Sequence, residues 1–563
     1  VKEPAVPTSV SPLSRLAAQP GRLLRAARRR LRLALAGESR QHFFDLDDTE
    51  LVNHALVSGG HPPLGAVPRT VAARDGDATR GELLYELRDD LRREIPLALT
   101  PAQRGAFLDW FCRFGWDAVE TRPADLLRHL FDLDARPDRG LVASYLVQPS
   151  WQAAHPLALT PAGWEPFKRW VAAEYGISGR WLRRAALPRD LPPAAGDGVN
   201  LIGFFRYVSG LQQAGLGVAD GLTAAGIPTG FRDVPTRTNR DGRRRDGFLG
   251  LEPHPVTVIN AGLDLSVPEV YRLAGLHPRD GVYRVAVWWW ELEEVPAEWH
   301  GRGRDVDEVW APTRFIADAL GVLGRPVYPM LPAVRLPAFD PLPKAYFGLA
   351  PDRFTFLFVF DMNSRLPRKN PVALIRAFRQ AFAPSEPVEL AIKVSPQGAF
   401  YADWWRELRS AAREAGVTLV DRNLSRAELV ALMNAADAYA SLHRSEGFGL
   451  TMAEAMLLGK PTVATGYSGN LDFMTPENSY LVDFTRTTIE DDTPPYPKGC
   501  VWAEPSVEHA AALLRRVYDH QDQSRAAGGR ARTELQRLLS PETAGARMKA
   551  RLDAIRAARP EAR

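Results

Sequence analysis

From about residue 199 onward, short apolar runs rich in β-branched and aromatic residues alternate with amphipathic stretches. VNLIGFF (199–205), VTVIN (256–260), YRVAVWWW (283–290) and DEVWAP (307–312) predict strands, and a helix-compatible segment follows the first run as far as Ile227. A second series is clearer: FTFLFVF (354–360), VELAIKV (388–394), VTLVD (417–421), ADAYASL (436–442) and PTVAT (461–465). One of the helices between these runs opens with a capping box, Ser425 with Glu428. Strands separated by helices call for a parallel sheet covered on both faces. The proline-rich MLPAVRLPAFDPLPKAYFG (330–348) divides the two series and reads as a hinge. The expected fold class is α/β, with two Rossmann-like, doubly wound domains facing a cleft. Ligands in such sheets bind at the carboxyl ends of the strands, so the cleft is the default site.

Upstream, residues 75 to 190 have a helical pattern that contains a repeat. PLALTPAQRGAFLDWF (96–111) and PLALTPAGWEPFKRWV (156–171) share seven opening residues, then Phe107/Phe167 and Trp110/Trp170 at matched offsets. Thr100 and Thr160 are expected to cap helices whose first residues are Pro101 and Pro161. Aromatics three apart share a helical face and read as core rather than as a ligand site. Two copies are too few for a solenoid. LPRDLPPAAGDG (187–198) reads as a linker. Near the start, GRLLRAARRRLRLALA (21–36) puts Leu23, Ala27, Leu31 and Ala34 on one face and Arg22, Arg25, Arg28, Arg29 and Arg32 largely on the rest. Such a stretch suits an exposed or core-docked basic helix, or peripheral contact with an anionic membrane surface.

Composition narrows the class. A chain of 563 residues exceeds a single domain of about 100–200 residues, and 45% apolar with 25% charged residues is ordinary for globular protein. Cys112 and Cys500 show no metal-ligand or disulfide spacing, and no run of 18 apolar residues occurs. A net charge of +4 over this length gives no footprint for nucleic-acid binding. The opening VKEPAVPTSVSPLSRL lacks a charged start followed by an apolar block, so no signal peptide is expected there. A cytoplasmic location is expected, with peripheral membrane contact through 21–36 the open addition.

The chemistry concentrates in SLHRSEGFGLTMAEAMLLGKP (441–461). After the strand ending near Leu442, Gly447 and Gly449 let the backbone turn and approach a ligand closely. A helix is expected from Leu450, and its first amides and dipole favour an anion, most simply a phosphate. Glu446 on the loop and Glu454 in the helix accept hydrogen bonds only, which suits each to sugar hydroxyls. Hydroxyls at both ends with phosphate between describes a nucleotide-sugar. The cations such a ligand requires stand in DMNSRLPRKNP, as Arg365, Arg368 and Lys369, just past the strand 354–360. The bland alternative is a capping Glu446 and a surface Glu454.

These segments resemble the retaining glycosyltransferases of family 4, the "group 1" set with the GT-B fold. EGFGLTMAE (446–454), RKNPVALIRAF (368–378) and GKPTVATGYSGN (459–470) carry the resemblance. SLHRSEGFGL, VWAEPSVEHAA (501–511), WWELEEVPAEW (289–299) and DEVWAPTRF (307–315) are similar to bacterial surface-polysaccharide members. The resemblance implies that Glu446 contacts the transferred sugar and stabilises its developing positive charge, and that the amides around Phe448 to Leu450 hold sugar and phosphate. It gives Lys369 and Arg368 the diphosphate leaving group, gives Glu454 the ribose, and requires no metal or cofactor beyond the donor. Two positions depart from the pattern. Asn363 and Ser364 stand where relatives carry an arginine, leaving Arg365 or Arg368 to serve; and the first domain's glycine loop reads GLQQ, Gly210 to Gln213, with Gln212 in place of a glycine. Glu291, in WWWELEE, reads equally as an acceptor-side residue and as a surface acid.

The organisation expected is an N-terminal extension (1–195), an acceptor-side domain (196–345), a donor domain (346–540) and a C-terminal helix (541–563). By resemblance, that helix packs back on the acceptor-side domain. The partners expected are a nucleotide-sugar and a glycan or lipid-linked glycan. A catalytically silent sugar-nucleotide-binding scaffold is the competing reading, and an oxidoreductase is disfavoured because no GxGxxG follows the first strand. The basic loop NRDGRRRDG (239–247) reads as solvated, and DLD at 45–47 and 132–134 as loop and capping acids rather than a metal signature.

Overall fold

The computed structural model describes residues 46–64, 80–115, 137–177, 180–187, 197–236, 245–395 and 401–559, with short pieces at 41–42, 71–72, 126 and 129–130. The basic stretch 21–36, most of the loop 239–247 and the DLD at 132–134 lie outside the described residues. The chain divides into two compact units, one built on residues 1–192 and the other on most of 193–563.

The first unit is helical, and the sequence repeat is also a structural one. Arg80–Leu87, Asp89–Glu94 and Arg104–Trp110 recur sixty residues on as Pro137–Leu146, Pro149–Ala154 and Trp164–Glu174. Phe107 and Phe167 are fully buried, as expected of core aromatics. Thr100 and Thr160 do not cap the helices directly. Each turns its hydroxyl back to the carbonyl of Leu97 or Leu157, both at 2.8 Å, and the helices begin later, after Gln103 and Gly163. The prolines at 101 and 161 therefore sit in a tight turn before each helix. Between the copies, the Gln148 side-chain amide donates to Tyr85 Oη at 2.6 Å and to the Pro96 carbonyl at 2.7 Å.

The second unit contains two six-stranded parallel sheets. The first is formed by β1 (Val199–Gly203), β2 (Thr229–Asp233), β3 (Val256–Gly262), β4 (Tyr283–Trp289), β5 (Glu308–Ala311) and β6 (Val327–Pro329), in the order β2-β1-β3-β4-β5-β6. The second is formed by β7 (Phe354–Phe360), β8 (Val388–Val394), β9 (Thr418–Val420), β10 (Ala438–Ser441), β11 (Thr462–Thr465) and β12 (Tyr480–Val482), in the order β9-β8-β7-β10-β11-β12. Every ladder within the two sheets is parallel. Both orders are doubly wound, so the expected pair of Rossmann-like domains is present. Strands β7 and β8 fall on their predicted residues because both are buried along nearly their whole length and leave no polar periodicity to blur their ends.

Strands β2, β6 and β12 were not legible as runs, since each is short and only part-buried. Nor was an antiparallel hairpin outside the sheets, β13 (Phe484–Thr488) with β14 (Val501–Pro505). The closing helix Pro541–Ala558 places Met548, Leu552 and Ile555 in one buried cluster with Val199, Leu201 and Val258. On the same side Arg551 pairs with the fully buried Glu308 at 2.6 Å. Among the described residues no helix is long and apolar enough to cross a membrane.

Candidate functional site

Strands β7 and β10 are hydrogen-bonded neighbours, so the loops leaving their carboxyl ends meet. The loop after β7 turns through a short 3-10 segment into Leu366–Lys369 and then Pro371–Ala381. The loop after β10 runs through Glu446 to the helix Leu450–Leu457, whose N-cap Gly449 sits at φ 92°, a conformation that favours glycine. The two loops are tied by backbone and side chain. Arg444 N–H donates to the Arg368 carbonyl at 2.8 Å, and Arg368 Nη1 donates to the Ser445 carbonyl at 2.8 Å.

Where the loops join, three residues picked out by the sequence come together. The Glu446 carboxylate accepts from the Lys369 amine on one oxygen and lies 3.1 Å from Arg368 Nη1 on the other. Arg368 and Glu446 are buried, at 4% and 8% exposure, and Lys369 is part-buried with its side chain 12% exposed. Burial opposes the charge on Glu446, but Lys369 and then Arg368 overcome it and hold the carboxyl down at about 2. The acid is therefore an ionised hydrogen-bond acceptor throughout the neutral range.

Backbone strain marks the same place. Among the described residues, the non-glycine residues with positive φ are Arg365 (70°), Asn370 (50°) and Ser468 (77°), and all three border the site. Arg365 and Asn370 bracket the helical turn that presents Arg368 and Lys369. Ser468 Oγ accepts the Glu446 N–H at 2.8 Å. Behind it, Gly469 donates to the Glu446 carbonyl at 2.9 Å, and a Cβ there would stand 1.9 Å from the Gly447 carbonyl oxygen. His443 is fully buried: Ser441 Oγ is 3.2 Å from its Nδ1, and its Nε2 faces the Tyr467 carbonyl and Asn470 Oδ1 at 3.3 and 3.2 Å. Two oxygen acceptors at Nε2 place the proton there. Burial pushes this imidazole down to about 4, so it is a neutral brace under the loop.

Glu454 lies apart from that cluster. It is 1% exposed, and Arg426 embraces it, with Nη1 at 3.2 Å from one oxygen and Nη2 on the other. Arg426 is the first residue of the helix opened by the predicted capping box, whose two reciprocal bonds are both present. Sequence reading placed that helix start without seeing that it would deliver an arginine to Glu454. Ser468, His443 and Arg426 were all overlooked, because hydrogen bonds between loops distant in sequence leave no periodic signal.

The other predicted residues are distributed differently. Phe448 is buried at 3% and packs on Phe473 with ring centroids 4.9 Å apart, so what it offers a ligand is backbone. Leu450 is the first residue of its helix. Arg365 turns away from Glu446: its Nη1 donates to Tyr401 Oη at 2.8 Å and to the Asn363 carbonyl at 2.9 Å, and its Nε to the Pro494 carbonyl. Gly210 opens the helix Gly210–Ala224, and nothing lies within 4 Å of where its Cβ would be. Gln212 is 3% exposed and uses its side-chain amide to hold the Phe205 carbonyl at 2.7 Å, closing the loop after β1. Glu291, just past β4, does reach the site. Its carbonyl accepts from Ser445 Oγ, and its carboxylate accepts from Tyr496 Oη at 3.0 Å. Gly447 meets the same edge of the first sheet domain, its carbonyl accepting from Thr313 Oγ1 at 2.8 Å.

Residues 349–534 match the family model of glycosyl transferases group 1. This group 1 match spans the second sheet and contains Arg365, Arg368, Lys369, Glu446 and Glu454. No curated protein matches the chain. Among solved structures, a sucrose-phosphate synthase from Thermosynechococcus elongatus is similar at 15% identity and TM-score 0.49, over 65% of this chain and 100% of that one. HepE of Anabaena, in complex with UDP and glucose, is similar at 15% identity and TM-score 0.45, over 64% and 100%. TarM is similar at 14% identity and TM-score 0.39, over 53% and 54%.

Proposed function

We propose that the chain is a retaining glycosyltransferase that moves a sugar from a nucleoside diphosphate to a glycan or lipid-linked glycan acceptor. The observation that carries this reading is the buried cluster of Arg368, Lys369 and Glu446 at the carboxyl ends of β7 and β10, within the group 1 match. Two cations beside a helix start suit a diphosphate, and an acid that stays ionised suits a sugar acquiring positive charge. In the proposed reaction the acceptor oxygen bonds to the anomeric carbon as the bond from that carbon to the phosphate oxygen breaks. The nucleoside diphosphate leaves with the electron pair, and the acceptor's proton passes to the departing phosphate oxygen. Arg368 and Lys369 stabilise the leaving group, so catalysis rests on position and electrostatics. Glu454 receives the ribose, with Arg426 orienting its carboxylate. No metal enters this mechanism. The surface-polysaccharide role belongs to the same proposal and rests on the sequence resemblance, and a cytoplasmic site of action rests on the composition and cysteine usage.

Thermal unfolding with UDP, GDP, ADP and dTDP and their sugars tests this directly. A ligand at about a hundred times its Kd stabilises by roughly 2.7 kcal/mol, a readily measured shift. No shift with any nucleotide removes the donor site. Binding without release of nucleoside diphosphate from any sugar donor would favour the scaffold reading.

A further inference from the structure

The hairpin β13–β14 is not part of either sheet, yet its closed end reaches into the site. Its base is fixed to the catalytic loop: Arg444 Nε meets Glu504 at 2.7 Å, Ala503 N–H donates to the Arg444 carbonyl at 3.0 Å, and the Arg444 guanidinium lies 5.4 Å from the Trp502 ring centre. Its end is closed by Ile489 N–H donating to the Cys500 carbonyl at 2.8 Å and by reciprocal bonds between Thr493 and Tyr496. From that end Tyr496 projects inward and is 4% exposed. The ring lies 5.8 Å from the Arg368 guanidinium and 5.8 Å from the Trp290 ring, and its hydroxyl donates to Glu291. Arg368 belongs to the second sheet domain, and Trp290 and Glu291 to the first. One tyrosine from a third element therefore touches both.

We propose that Tyr496 is a positioning residue of the transfer site: its ring seals the Arg368–Lys369–Glu446 cluster from water, and its bond to Glu291 holds that seal in place. This rests on the glycosyltransferase reading. A sugar diphosphate held by Arg368 and Lys369 is exposed to attack by water in the acceptor's place, which would release free sugar, and a dry wall on this side prevents that. The same exclusion of water strengthens the pull of both cations on the leaving group.

The test uses the whole chain with Tyr496→Ala, which removes the wall, and Tyr496→Phe, which keeps the ring and loses the anchor. Acetylation of Lys369 by acetic anhydride, quantified by peptide mass spectrometry against Lys549, is expected to rise at least fivefold in Tyr496→Ala and less in Tyr496→Phe. Lys549 is a fit reference because its side chain is 52% exposed. Release of nucleoside diphosphate from UDP-glucose, GDP-mannose and ADP-glucose without acceptor is expected to rise in the same order, with the Kd for UDP, GDP or ADP changed less than twofold. Lys369 labelling unchanged in Tyr496→Ala overturns the proposal, as does weakened nucleotide binding with no gain in hydrolysis, which marks a merely structural residue. If labelling rises while no chain, wild type included, binds or cleaves any of these donors, the seal stands and the glycosyltransferase reading fails.

Discussion

Glu446 and Lys369 form a buried ion pair across 77 residues of chain, made possible because β7 and β10 lie side by side and parallel. With Arg368 on the other oxygen, two cations face this acid, and the Glu291 carboxylate lies near enough to act on both. An ion pair this deeply buried stabilises little by itself, but removing one partner strands the other charges.

Glu446→Gln is expected to lose about 3–5 kcal/mol of stability in the absence of ligand, the cost of uncompensated buried charge. Part of that loss is expected to return on adding a nucleoside diphosphate, whose phosphates then meet both cations unopposed. Sugar transfer or donor hydrolysis is expected to fall about 100-fold or more, in keeping with the loss of a transition-state electrostatic contact. Calorimetric binding of nucleoside diphosphates alongside turnover checks the pair of effects; a variant with full turnover would remove Glu446 from the mechanism.

Glu454→Gln is expected to act on nucleotide binding rather than on the chemical step. The variant leaves Arg426 without its carboxylate, but that side chain is 26% exposed and water reaches part of it, so the stability loss is expected to be smaller than at Glu446, about 1–3 kcal/mol. Nucleotide affinity is expected to fall about tenfold, and the preference for ribonucleoside over 2′-deoxyribonucleoside diphosphates to shrink. Equal loss for both sugars would place Glu454 elsewhere than at the ribose.

Gly469→Ala tests whether the loop is over-determined. Its Cβ would stand 1.9 Å from the Gly447 carbonyl oxygen and 3.0 Å from that of Glu446, so backbone must move. A cost of about 1–3 kcal/mol is expected, with loss of turnover beyond what stability explains. Denaturant midpoints and kcat on the same preparation separate the two.

Acid sensitivity follows from His443. Its folded-state value of about 4 lies below the usual 6.5, so between those values the unfolded chain binds the extra proton and the folded one does not. Stability is full above about pH 6.5 and drains away as pH falls towards 4, by roughly 3 kcal/mol at most. His443→Gln is expected to flatten the dependence of the unfolding midpoint between pH 7 and 5; an unchanged slope would assign it to other groups.

Local sequence dictates the alternation of strands and helices, the two α/β series with a proline-rich segment between them, and the helical repeat. Each is local, written as apolar runs, caps and breakers within a few residues of one another. It also placed Arg368, Lys369 and Glu446 at carboxyl ends of strands, the one position where their types make chemical sense together. Which of them touch depends on the packing of the folded chain. Arg365 turns to Tyr401 and the Pro494 carbonyl, Gln212 to its own loop, Glu454 takes Arg426 as partner, and Glu291 meets Tyr496 from a hairpin that no periodicity announced. The physical reason is that strand order brings distant loops together, and hydrogen bonds and burial then choose among side chains whose local sequence treats them alike.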